Sequence, residues 1–176
     1  MRQMSFLRRI IAAYFSRTKD YSTWRFVIEM ALVSFLPKFL VGIVVAVVTT
    51  AFGIHSIETN TEAMESETGF AVVLVGALLV APFAETLIGQ WIPVFFTRLF
   101  TKRTLPVVTV SAVLFSLVHI PAGLVTFLAV LPASFFFAWC FIVGREQSYW
   151  KAYWTTSFAH LIHNAVALAI FASFKV

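Results

Sequence analysis

The sequence predicts an all-α protein, a polytopic membrane helix bundle of about five spans with an interfacial amphipathic helix at its N-terminus. Three observations carry this expectation. Hydrophobic residue types make up 60% of the 176 residues and aromatics 16%, with 20 Phe. Asp, Glu, Lys and Arg together make up only 12%, against about 25% in an ordinary soluble domain. Apolar runs long enough to cross a bilayer, about 20 residues each, recur along the chain. A globule of this size has too little interior to hide so many large apolar side chains. A soluble enzyme and a disordered tail are excluded.

Residues 1–25 form a basic arm. Arg2, Arg8, Arg9, Arg17, Lys19 and Arg25 stand against a single acid, Asp20. Phe6–Phe15 is apolar but interrupted by Arg8 and Arg9, with no small-residue cleavage site after it, so it reads as a helix lying in the interface rather than a secretory signal. These Arg sit among Phe, Ile and Leu and not on a polar face. The lipid bilayer is therefore the expected partner, and nucleic acid is not.

Residues 26–176 form the membrane-embedded domain. The first span lies within Phe26–Phe52, with Lys38 near its inner edge, where a long stem can snorkel. An acidic stretch follows, with Glu58, Glu62, Glu65 and Glu67 and no Lys or Arg between residues 55 and 69. The second span starts at Phe70 and runs into Pro82 and Glu85. Trp91–Thr104, with Arg98, Lys102 and Arg103, reads as a loop. The third span covers Leu105–Ile120, the fourth Leu124–Val143 and the last Ala152–Phe174, with Arg145–Lys151 connecting the last two. If the spans alternate, the arm and both basic connections share one side and the acidic stretch faces the other. Lys and Arg remain cytoplasmic, which places the N-terminus inside and the C-terminus outside. Cys140 stands alone in an apolar run, so no intramolecular disulfide can form.

Ionisable groups within the spans are the informative ones, because each costs roughly 2.5–3.5 kcal/mol in lipid even on the gentlest scale. They are Glu85, His119, His160 and His163, joined by Asn164. Pro82 lacks an N–H and so frees the carbonyl of Leu78 and can open the helix beside Glu85. A desolvated carboxyl there suits a general base. A protonated Glu bonded to a neighbouring helix is the plainer alternative. His119 shares a helix face with Phe115, and Pro121 ends or bends that helix; packing and chemistry are equally open for it. His160, His163 and Asn164, at i, i+3 and i+4, form one stripe of the last helix. His160 and His163 could ligate a metal, although the HExxH pattern is absent. Alternatively, His160 and Asn164 offer two donors to one point, as a developing oxyanion requires, and His163 is a packing flank. No GxSxG elbow or Ser-xx-Lys dyad is present.

In order along the chain these residues resemble the CPBP family of intramembrane proteases, which includes CAAX prenyl endopeptidases and bacterial proteins linked to bacteriocin processing and self-immunity. The family pattern is EExxxR, then FxxxH, then HxxxN. Here the stretches are Glu85 to Gln90, Phe115 to His119 and His160 to Asn164, with Ala81-Pro82 ahead of the first and Gly144–Trp150 ahead of the last. The resemblance implies an endopeptidase in which Glu85 and His119 activate a water while His160 and Asn164 stabilise the oxyanion. It implies a glutamate-dependent reaction with no required cofactor. A single acid in the set also argues against a well-ligated metal. The implied substrate is a peptide or protein, with a prenylated tail, a leader peptide and a signalling peptide all open, and the implied place is a bacterial cell membrane.

Two positions depart from the pattern: its second Glu is Thr86 and its Arg is Gln90. Losing both charges together keeps the site balanced, and a neutral hydrogen bond between Thr86 and Gln90 is the expected replacement. The departures motivate a rival reading, a weakly active or inactive scaffold or immunity protein of the same fold. A small transporter or proton relay is a third, because intramembrane Glu/His chains also serve that purpose. One geometric requirement follows. At about 1.5 Å per residue His160 lies about 12 Å into its span and His119 about 21 Å into its own, so a bend, a re-entrant span or shifted ends must bring them together.

Overall fold

The computed structural model describes residues 13, 16, 23–52 and 67–173. The N-terminal amphipathic helix and the acidic stretch up to residue 66 lie outside the described residues, apart from Ala13 and Ser16. The described residues form helices and turns and contain no strand. We number the helices α1 (Thr23–Ala51), α2 (Glu67–Val75), α3 (Ala81–Thr86), α4 (Ile92–Phe100), α5 (Thr104–Leu117), α6 (Leu124–Arg145) and α7 (Tyr149–Ser173). The α2, α3 and α4 segments follow one another with only two π-helical turns between them, Gly76–Val80 and Leu87–Trp91. Together they make one apolar rod, Gly69–Phe100, of 32 residues.

Among the described residues, three helical rods are long and apolar enough to cross a membrane: Thr23–Ala51, Gly69–Phe100 and Leu124–Arg145. The two remaining expected spans differ for separate reasons. Helix α5 is apolar but has only 14 residues, about 21 Å against a hydrocarbon core of about 30 Å. Helix α7 has 25 residues, but between residues 151 and 163 it carries Lys151, Thr155, Thr156, Ser157, His160 and His163. These polar groups turn inward: Thr156, Ser157, His160 and His163 are all buried.

The bundle is apolar on both sides of its wall, as expected of a protein in lipid. Leu32, Leu36, Phe39, Leu40 and Val44 of α1 face outward. Its opposite stripe, Phe26, Val27, Met30 and Ala31, packs on Phe137 and Cys140 of α6 and Ala159 of α7. A second core joins Val94 of α4 and Val107 and Val108 of α5 to Ala138, Phe141 and Ile142 of α6. Helix α6 is thus the central post, and Cys140 faces its neighbours rather than lipid.

Trp91–Thr104, expected as a loop, is mostly helix: α4 continues to Phe100 and only Thr101–Arg103 connects it to α5. Its basic residues suggested a loop, but its apolar face packs Val94 into the second core, which outweighs them. Arg98 then caps the end by donating to the Lys102 carbonyl. At this same end of the bundle, Trp91 meets Tyr149 and Trp150 at ring-centroid distances of 5.6 and 5.2 Å, the kind of aromatic belt that marks a membrane–water interface.

Both π-turns precede a proline, and both prolines leave a carbonyl that another helix must satisfy. The Ala81 N–H bonds to the Gly76 carbonyl and Pro82 has no N–H, so the Ala77 carbonyl lacks a helical donor. Likewise Pro93 cannot donate to the Gly89 carbonyl four residues back. In lipid no water can fill such vacancies. Asn164 Nδ2 donates to Ala77 at 2.9 Å, and Ser111 Oγ donates to Gly89 at 2.8 Å. The segment that carries Glu85 is therefore fixed at its two weak points by α7 and α5.

Candidate active site

Each of the four expected residues lines one cavity of about 300 Å³ between α1, α3, α6 and α7: Glu85, His119, His160 and Asn164, together with Lys38 and His163. Glu85 projects from the short α3 segment between the two π-turns. Its Oε2 lies 3.5 Å from His119 Nε2 and 3.8 Å from His160 Nε2.

The geometric requirement is met by a shifted end and a bend. Helix α7 begins at Tyr149, three residues before the expected start at Ala152, which carries His160 deeper into its helix. Helix α5 ends at Leu117, and His119 stands on the turn beyond it, before the short 3₁₀ turn Ile120–Ala122 that contains Pro121. The chain reverses at Gly123, whose φ of 104° suits glycine.

The Phe115–His119 spacing has a chemical consequence. A carbonyl only accepts, so the 2.9 Å contact between His119 Nδ1 and the Phe115 carbonyl fixes the proton on Nδ1. In the neutral ring Nε2 is then a bare lone pair facing a carboxyl oxygen. Two acceptors at 3.5 Å need a proton between them, on Glu85, on His119 or on a water bound to both. The Phe115 ring meanwhile packs against both imidazoles, with centroids 5.0 Å from His119 and 5.8 Å from His160.

His160 is sandwiched further by Phe137, stacked at 4.7 Å. Its Nδ1 is buried without a hydrogen-bond partner among the described residues. An orphaned N–H is rarer than an orphaned lone pair, which puts the His160 proton on Nε2, towards Glu85. Asn164 is one helical turn on, but one of its two amide hydrogens is committed to Ala77. His160 and Asn164 thus border one cavity, with one N–H of each available to a bound group.

Sequence reasoning undervalued two residues. His163, expected as a flank or lip of the oxyanion donors or as a metal ligand beside His160, lines the cavity. The Ser34 hydroxyl spends its single hydrogen on the Ala31 carbonyl at 2.8 Å, so in its 2.9 Å contact with His163 it accepts from Nδ1–H. Lys38, expected near the inner edge of its span, shares the cavity with Glu85. The sequence did flag it as ionisable within an apolar window. What it could not show was that Lys38 falls one turn after Ser34, on the stripe of α1 that faces α7.

The expected hydrogen bond between Thr86 and Gln90 is absent. Both residues are fully buried, and Thr86 Oγ1, Gln90 Oε1 and Gln90 Nε2 have no partner among the described residues. The π-turn Leu87–Trp91 begins between them. Among the described residues no group of three or more His, Cys, Asp and Glu side chains is spaced to hold a metal ion.

No curated protein and no solved structure matches the chain. A family model described as type II CAAX prenyl endopeptidase, Rce1-like, matches residues 67–166, from the start of α2 to just past Asn164. That segment exceeds half of the 176 residues and contains all four residues singled out by their motifs, so the chain belongs to the Rce1-like type II CAAX prenyl endopeptidases, a family of membrane-embedded peptidases.

Proposed function

We propose that the protein hydrolyses a peptide bond at the membrane with water activated by Glu85 and His119. The observation that carries this is the placement of Glu85 Oε2 between two imidazole Nε2 atoms, at 3.5 and 3.8 Å. A water bound between Glu85 and His119 gives up a proton to that pair as its oxygen attacks the peptide carbonyl carbon. The carbonyl oxygen becomes an oxyanion, which His160 Nε2–H and the second amide hydrogen of Asn164 stabilise. When the tetrahedral centre collapses, the C–N bond breaks and the same proton passes to the leaving amine. Every step uses groups of this chain and water, with no cofactor.

A prenylated tail is the substrate that this reading favours. Beside the site an apolar groove runs between α4 and α5, lined by Ile88, Ile92, Phe96, Phe100, Leu114 and Val118. Gly89 also borders it, against Phe115, and Val118 precedes His119 in the chain, so a lipid chain lying there would hold its peptide near Glu85. A leader peptide lacks the lipid that fits this groove.

The test is cleavage of an internally quenched, farnesylated peptide ending in Cys-aliphatic-aliphatic-X by protein reconstituted in lipid nanodiscs. Glu85→Gln and His119→Ala should each lower kcat/KM at least about 100-fold while the protein stays folded by circular dichroism. Full activity in either variant overturns the assignment. A second reading, a scaffold or immunity protein, is favoured by the buried Thr86 and Gln90, which have no side-chain partner among the described residues. It predicts biological function that survives Glu85→Ala.

A further inference from the structure

Helix α1 lies outside the matched residues 67–166, yet it supplies part of the cavity wall. Ser34 and Lys38, one turn apart on one face, reach the site together: Ser34 holds His163 and Lys38 lines the cavity beside Glu85, His160 and Asn164. Lys38 is the one Lys or Arg among the lining residues, and Glu85 the one acid. Among the described residues, however, neither an ion pair nor a hydrogen bond closes on Lys38 Nζ, whereas Glu85 Oε2 is already faced by two imidazoles.

An ammonium has three donors and no acceptor. In a membrane-embedded cavity, without a carboxylate in contact, it is a costly residue unless a ligand completes it. From this we infer that Lys38 forms a carboxylate-binding subsite, which receives an anionic group of the peptide lying next to the scissile bond. The inference deepens the proteolytic reading and rests on it for the position of that bond. The anion is either the C-terminal carboxylate or an Asp or Glu side chain close to the cleaved bond. Apolar walls leave the pairing weakly screened, so the subsite selects strongly against a neutral group in the same place.

The test is peptide binding in nanodiscs of zwitterionic lipid, on a Glu85→Gln background that holds the peptide without cleaving it. The probe is one farnesylated Cys-aliphatic-aliphatic-X peptide in three forms: free carboxylate, carboxamide, and carboxamide with Glu at X. With Lys38 present, the free carboxylate should bind at least about 10-fold tighter than the carboxamide. Lys38→Arg should keep that preference and Lys38→Met should abolish it, with carboxamide affinity unchanged as the measure of intact folding. The Glu-bearing form tells a terminal from a side-chain carboxylate. A preference that persists in Lys38→Met, equal binding of all forms, loss of carboxamide binding in Lys38→Met, or no binding at all overturns the subsite. Preferential binding by a protein that cleaves none of the forms removes the proteolytic reading and leaves the subsite. Cleavage of the carboxylate and carboxamide forms at equal rates does the reverse.

Discussion

Asn164 donates its amide to the Ala77 carbonyl at 2.9 Å, tying the last helix to the π-turn just ahead of Pro82. That single bond joins the helix of the last motif to the turn that leads into the first, because Pro82 lies three residues before Glu85. Asn164→Leu should therefore act twice. It leaves a carbonyl without a donor, at a cost of about 1–3 kcal/mol, and it removes one proposed oxyanion donor. Unfolding followed in detergent should show the first effect, and kcat/KM on the quenched peptide the second. An Asn164→Leu protein as stable as the wild type would show that Ala77 finds another donor.

Pro82→Ala tests whether the π-turn matters for chemistry rather than for folding. Alanine restores the missing N–H, so the helix can close its own ladder and the turn Gly76–Val80 can tighten to α geometry. Losing one residue of helical offset rotates Glu85 away from His119 and His160. Stability should change by less than about 1 kcal/mol, or rise, because a proline in a helix interior is itself unfavourable. Activity should fall about 100-fold, the scale of a misplacement of about 1 Å. Undiminished cleavage by Pro82→Ala would show that the turn is incidental.

Gly89→Ala probes the contact that sets both histidines. A Cβ at residue 89 would lie 2.2 Å from Phe115 Cδ2, and the Phe115 ring is fully buried between helices. Overpacking of this kind costs about 1–3 kcal/mol. Because Phe115 packs on both His119 and His160, its displacement should also lower activity. Trimming the ring by Phe115→Leu in the Gly89→Ala background should recover stability. If the double variant is less stable than Gly89→Ala alone, the clash is not the cause.

Much of this architecture was legible in the sequence, because lipid makes strong demands. Long apolar runs marked the rods, and the few ionisable residues within them, Glu85, His119 and His160, converge on one cavity. Spacing alone could not give the helix ends. The step from Leu117 to His119 depends on Pro121 and Gly123 together, and the early start at Tyr149 depends on aromatic contacts with Trp91. Nor could it distinguish a proline kink from a π-turn, since both begin with the same missing N–H. That Lys38 lines the cavity could not be read from its span alone, because it follows from packing of the Val27–Ser34 stripe against α6 and α7. The Trp91–Thr104 segment was misread for a similar reason: Arg98, Lys102 and Arg103 look like a loop until Val94 is seen in the core.

Thr86 and Gln90 offer the sharpest test of how charge is balanced around Glu85. Both side chains are fully buried and make no hydrogen bond among the described residues. Thr86→Glu alone buries an unpaired carboxylate, and Gln90→Arg alone an unpaired guanidinium, each at a cost of about 3–5 kcal/mol. Introduced together they can neutralise one another across the π-turn that begins between the two positions. The double variant should therefore be more stable than the sum of the two single changes predicts, by more than about 1 kcal/mol in a double-mutant cycle. Expression level and unfolding temperature of the four proteins measure this directly. Additive losses would mean that the charges do not meet, and that the two positions contribute to the site separately.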